Sequence, residues 1–106
     1  MAKKAKMRVR VYPIGELPYT TEIYNDLKSM QELVGGYIER TPLNAYLGPP
    51  ANGLMAIVDE EGCLKGKPRN RIFVGQFFVC SSRGDMSSLK DVDIEKLEQL
   101  EVAGAL

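Results

Sequence analysis

From Ile72 to Ser82 apolar residues alternate onto both faces: Phe73, Phe77 and Val79 on one, Ile72, Val74, Phe78 and Cys80 on the other. A strand with large side chains on each face needs cover on each face, since either one left in water would expose aromatic and branched surface. This stretch is therefore read as a central strand of a sheet sandwiched between other elements. At 106 residues the chain suits one domain spanning 1–106, with a basic start over 1–7.

Other strands are read by the same alternation. Arg8 to Pro13 places Val9 and Val11 inward and Arg8 and Arg10 outward, and Tyr19 to Tyr24 is rich in Thr, Ile and Tyr. With the turn Ile14-Gly-Glu-Leu-Pro18 between them they form a hairpin. Leu27, Met30, Leu33 and Val34 lie at helical spacing behind Asn25 or Asp26 as N-cap, and the helix is expected to stop at Gly35. Tyr37 to Leu43 then runs extended, residues 48–53 form a loop, and Leu54 to Asp59 is a short apolar strand. After a polar stretch over residues 60–71 and the long strand, Ser88 or Asp91 caps a closing helix with Val92, Ile94, Leu97 and Leu100 on its apolar side. The expected architecture is α+β: a mostly antiparallel sheet of about five strands with two helices, in the order β-β-α-β-β-β-α.

The charge balance excludes some functions. Fourteen basic side chains face fourteen acidic ones, which argues against general nucleic-acid binding. The charges are nevertheless segregated: residues 1–10 carry five cations and no acid, residues 41–58 carry no charge, and residues 84–106 are acidic. There is no histidine, which removes the commonest base near neutral pH and the commonest metal ligand. Cys63 and Cys80 are too few for a secreted disulfide framework. The 41–58 stretch, with three prolines, cannot cross a bilayer as a helix. The expectation is a cytoplasmic protein with no membrane association, no metal and no cofactor.

Several residues then stand together as a family pattern. Ser29-Met-Gln-Glu-Leu-Val-Gly-Gly-Tyr-Ile-Glu39, Asp59-Glu-Glu-Gly62 and Pro68-Arg-Asn-Arg71, followed by Gly75-Gln-Phe-Phe-Val79 and Ser88-Leu-Lys-Asp-Val-Asp-Ile94, resemble a family of small domains known only as a domain of unknown function. The family is common in bacteriophages and mobile elements of Gram-positive bacteria. The resemblance runs from about Val9 to Leu100. Asp59 departs from the Asn often found before Glu-Glu-Gly. The resemblance implies a phage or mobile-element origin, in a bacterial host cell, and no activity.

The candidate chemistry lies in Lys65-Gly-Lys-Pro-Arg-Asn-Arg71. Its cations recur at every second residue, so an extended backbone would direct Lys65, Lys67, Arg69 and Arg71 the same way, and the arginines could grip phosphate oxygens bidentately. Asn70 could read a base or ribose edge. Against this stands a solvated loop offset by Asp59, Glu60 and Glu61. Gly35 and Gly36 would admit a ligand close to the backbone, or simply cap the helix, and Tyr37 would stack on a base or join the apolar stripe. The carboxylates at 59–61 could hold a divalent cation, but read better as a turn.

No residue is assigned a catalytic role, and the reading leans against an enzyme. The leading expectation is a non-catalytic module for a small anionic, nucleotide-like ligand, sequestering a host-defence signal in a pocket formed within a homo-oligomer. The uncharged Thr41–Val58 segment would supply the association surface. The alternative is a protein–protein inhibitor of a host defence enzyme.

Overall fold

A computed structural model describes residues 5–106. Five strands form the main sheet: β1 (Lys6–Tyr12), β2 (Tyr19–Tyr24), β3 (Ile38–Pro42), β4 (Leu54–Asp59) and β7 (Phe77–Ser81), in the order β2-β1-β7-β4-β3. Every neighbouring pair is antiparallel. Besides helices α1 (Leu27–Val34) and α3 (Asp91–Val102), a short helical turn, α2 (Asn44–Leu47), and a 3-10 turn at Pro49–Ala51 lie between β3 and β4. A separate two-stranded ribbon pairs β5 (Arg69–Asn70) with β6 (Phe73–Val74). The main sheet with α1 and α3 reads β-β-α-β-β-β-α, the α+β order expected.

The central position belongs to β7, whose five residues are all buried. Phe78 and Cys80 meet Met7, Val9, Val11, Met30, Val34 and Ile57 beneath α1. On the opposite face Phe77 and Val79 pack with Tyr12, Leu54, Ala56, Val58 and Leu97 beneath α3. The expected single strand over 72–82 is broken, however. Gly75 has φ of +80°, and a Cβ there would lie 2.8 Å from Cδ of Lys67. The chain turns at this point, so Phe73 and Val74 leave the main sheet for the ribbon.

Helix α1 is capped by Asp26, which accepts from the Ser29 amide at 2.7 Å, and stops at Gly35 in the left-handed conformation. The cap of α3 differs from expectation. Ser88 Oγ accepts from the Arg8 amide, and the Asp93 carboxylate accepts from the Lys90 amide at 2.8 Å. Val92 is 52% exposed, so it lies outside the packed side of α3.

One further expectation is corrected. Arg8 and Arg10 lie opposite Val9 and Val11 but are covered by α3: Arg10 forks onto Glu101 with both bonds at 2.7 Å. Within the uncharged 41–58 segment, Leu43, Ala51, Leu54, Ala56, Ile57 and Val58 are buried, while Pro42, residues 44–46, Pro49 and Pro50 are exposed. Lys3 and Lys4 of the basic start lie outside the described residues.

Candidate functional site

The candidate residues surround the end of the sheet where β4 finishes. Asp59, its last residue, pairs with Ile38 of β3 and shares the α1 face with Ile57 and Met55. A carboxylate on that face is costly to bury unless it is paired. Residues 60–66 then turn repeatedly. Glu61 donates its amide to Asp59 Oδ1 at 2.9 Å, Gly62 donates to the Asp59 carbonyl and Lys67 to the Gly62 carbonyl. This winding returns Lys65 and Lys67 to the strand end. Lys65 Nζ stands 3.0 Å and Lys67 Nζ 2.5 Å from Asp59 Oδ2, whose side chain has no exposed surface. Burial pushes the Asp59 carboxyl up, but the Lys67 ammonium, the Glu61 amide and the Lys65 ammonium outweigh it and bring it down to about 2.

The same lysines finish α1. A helix leaves its last carbonyls without intrahelical partners and carries partial negative charge there. The last turn of α1 has no basic residue of its own. Its carbonyls are served from the 65–76 region instead: Gln76 Nε2 donates to Leu33 O at 2.7 Å, Lys67 Nζ to Val34 O at 2.9 Å, and both lysines to Gly35 O at 3.3 Å. The double glycine follows from this arrangement. Gly35 takes φ of +77°, and a Cβ on Gly36 would lie 2.7 Å from both Asp59 carboxylate oxygens and clash with Lys65 Nζ. Gly36 is small because an ion pair lies over it.

The four cations therefore do not converge. The expected extended run exists only at Arg69–Asn70, because residues 60–66 turn and Arg71 adopts φ of +61°. Arg71 swings to the α3 face, with its guanidinium 5.3 Å from the centre of the Tyr12 ring. Tyr12 stacks on Phe77 and donates its hydroxyl to Glu101 at 2.7 Å. Burial raises the Glu101 carboxyl, but the Arg10 and Tyr12 hydrogen bonds prevail and lower it. Burial, joined by Glu101, pushes the Tyr12 phenol well above its usual range. Asn70 is buried and donates to Tyr12 O at 2.8 Å and Gly75 O at 3.0 Å. Its amide fastens the ribbon to β1, so it has no donor directed at a ligand.

Of the eight candidate residues, Arg69 and Tyr37 face outward without such ties. Arg69 is exposed and its guanidinium has no partner among the described residues. It lines an open groove of about 300 Å³ with Glu39, Glu60, Cys63, Ile72 and Phe73. Tyr37 is 65% exposed and accepts the Glu60 amide at 2.9 Å through its carbonyl, which sets it beside the groove. Among the described residues, no group of three or more His, Cys, Asp or Glu is placed to hold a metal ion. No helix of the described residues is long and apolar enough to cross a membrane.

Sequence reasoning treated Asp59 as a turn carboxylate and passed over Gln76 and the Arg10–Tyr12–Glu101 cluster. A signal existed for Asp59. It ends an apolar strand, and lysines six and eight residues later follow a glycine-bearing turn.

Together these features define a small α+β domain with a sheet covered by one helix on each face and an internally paired charge cluster at one end. The chain belongs to the family described as a domain of unknown function, DUF3846, whose model matches residues 7–101. No match was found among curated proteins or among solved structures.

Proposed function

We propose that this domain is a non-catalytic binding module for a small nucleotide-like anion, held in the groove beside Arg69. The observation that carries the reading is Arg69 itself, the one cation of the 65–71 row that is exposed and has no partner for its guanidinium among the described residues. A nucleotide suits the mixed lining. Its phosphate would meet the Arg69 guanidinium, its ribose hydroxyls would donate to Glu39 or Glu60, and its base would lie against Ile72 and Phe73, with Tyr37 at the edge. The absence of catalysis is supported by the buried groups. Asp59, Asp93 and Glu101 are each tied to cations that keep them charged, and burial pushes the Cys80 thiol up to about 12. None of these is a poised base or nucleophile.

In the phage or mobile-element setting that the sequence resemblance implies, such a module would sequester a nucleotide-derived defence signal in the host cytoplasm. Thermal unfolding against cyclic nucleotides and ADP-ribose derivatives tests the reading. A ligand at a hundred times its Kd stabilises by about 2.7 kcal/mol, or roughly 10 °C for a domain of this size. That shift is expected with the wild type and is lost in Arg69→Ala, while Arg71→Ala keeps it. No shift with any of these ligands would overturn the reading, and a stoichiometric host enzyme captured by the ligand-free protein would replace it with the protein–protein inhibitor.

A further inference from the structure

The two edges of the sheet are built differently. β3 ends in Pro42 and carries Glu39 and Arg40, the latter tied to Asp85 at 2.6 Å, devices that discourage another strand from adding. β2 reads Tyr-Thr-Thr-Glu-Ile-Tyr, with no proline and one charge. It is paired with β1 along its whole length, and no described strand lies on its outer side. Between β2 and α1 runs an open groove of about 370 Å³ lined by Ile23, Tyr24, Ser29, Glu32 and Leu33. Tyr19 shares the α1 face with Thr21 and Ile23, opposite Val11, yet remains 46% exposed.

We propose that β2 is a self-pairing edge, occupied by β2 of a second copy of this chain, antiparallel about a two-fold axis through Thr21. A two-fold axis normal to the sheet keeps both α1 helices on one side, so facing residues must lie on the same face. Two registers are central. With Glu22 on the axis, two carboxylates oppose each other, which is destabilising. With Thr21 on the axis, each Glu22 faces Thr20 of the other copy, and each Tyr19 faces Ile23.

Both of these contacts are complementary. Thr20 Oγ1 accepts from Arg10 Nη1 at 2.9 Å. Its own hydroxyl hydrogen is thus left to donate to the incoming Glu22 carboxylate, while Arg10 itself stays paired with Glu101. Tyr19 arrives on the α1 face opposite Ile23, where the groove lined by Ile23 and Leu33 is large enough for its ring. Symmetry repeats each contact, and the two five-stranded sheets become one. The Arg69 groove lies by β3 at the opposite edge, so pairing through β2 leaves it open.

Sedimentation of the full chain and cysteine cross-linking in a Cys63→Ser background test this. Cys80 is buried and does not interfere. Facing Thr21 residues would have Cα atoms about 4.5–5.5 Å apart, within disulfide reach, whereas Glu22 and its copy would be diagonal neighbours about 7–8 Å apart, beyond it. The wild type is expected to sediment as a dimer, Thr21→Cys to oxidise to a covalent dimer, Glu22→Cys to cross-link at least about tenfold less, and Tyr19→Lys to weaken association about tenfold or more. A monomer at millimolar concentration overturns the proposal. So does a dimer in which Thr21→Cys fails to cross-link or Glu22→Cys links equally fast.

Discussion

Lys65 and Lys67 belong to the same alternating row as Arg69 and Arg71, yet the two halves serve different surroundings. The lysines reach inward to a fully covered carboxylate and to the last carbonyls of α1. Arg69 stands in solvent at a groove, and Arg71 lies over Tyr12 on the α3 side of the sheet. Spacing does not explain the division. A lysine is a compact point charge on a flexible stem and can divide its three donors among a carboxylate and two carbonyls, whereas a planar guanidinium favours a flat partner such as a ring or a phosphate. The lesson is that a row of cations becomes an anion site only where the chain has not already placed an anion of its own. Here Asp59 occupies that position for the lysines.

Removing both lysines should produce the largest effect. Lys65→Met with Lys67→Met leaves Asp59 buried without a cation and the carbonyls of Val34 and Gly35 without donors, and is expected to cost about 4 kcal/mol in urea unfolding. An unchanged midpoint would erase the distinction between the two halves. Gly36→Ala comes next. Its methyl would press on the Asp59 carboxylate and Lys65 Nζ, with an expected loss of about 2 kcal/mol, and wild-type stability in this variant would show that the ion pair is not where the structure puts it.

Acid sharpens the same comparison. Asp59 titrates at about 2 when folded, against 3.8 unfolded. The unfolded chain therefore binds more protons in this window, so the stability from Asp59 is present above about pH 4 and lost as the pH falls toward 2. Asp93 and Glu101 are lowered as well and act in the same direction. Urea midpoints from pH 7 to pH 2 should fall in the wild type, and the gap to the double lysine variant should narrow. A gap that stays constant would mean that Asp59 is not the lysines' partner.

Much of the architecture was legible in the residues. Alternation marked β1 and β7, Thr, Ile and Tyr content marked β2, a short apolar run marked β4, and Asn25 or Asp26 with Gly35 marked the two ends of α1, because these signals are local. The break at Gly75, which takes φ of +80°, was passed over because the apolar alternation on either side of it reads as continuous, although a glycine inside a strand pattern is itself a signal for a break. The site was half legible. Gly35, Gly36, Lys65 and Lys67 were each singled out in the residues, but that they gather at one place depends on which way Asp59 faces. The sheet's pairing register decides that, and no local pattern encodes it. Glu101 was invisible for the same reason, being ninety-one residues from the Arg10 it binds.

The division of labour within the row is tested most directly by urea unfolding of Lys67→Ala beside Arg69→Ala. Lys67→Ala is expected to lose about 3 kcal/mol, because Asp59 keeps only one cation, and Arg69→Ala to stay within about 0.5 kcal/mol of the wild type. Equal losses in the two variants, or a larger loss in Arg69→Ala, would contradict the account.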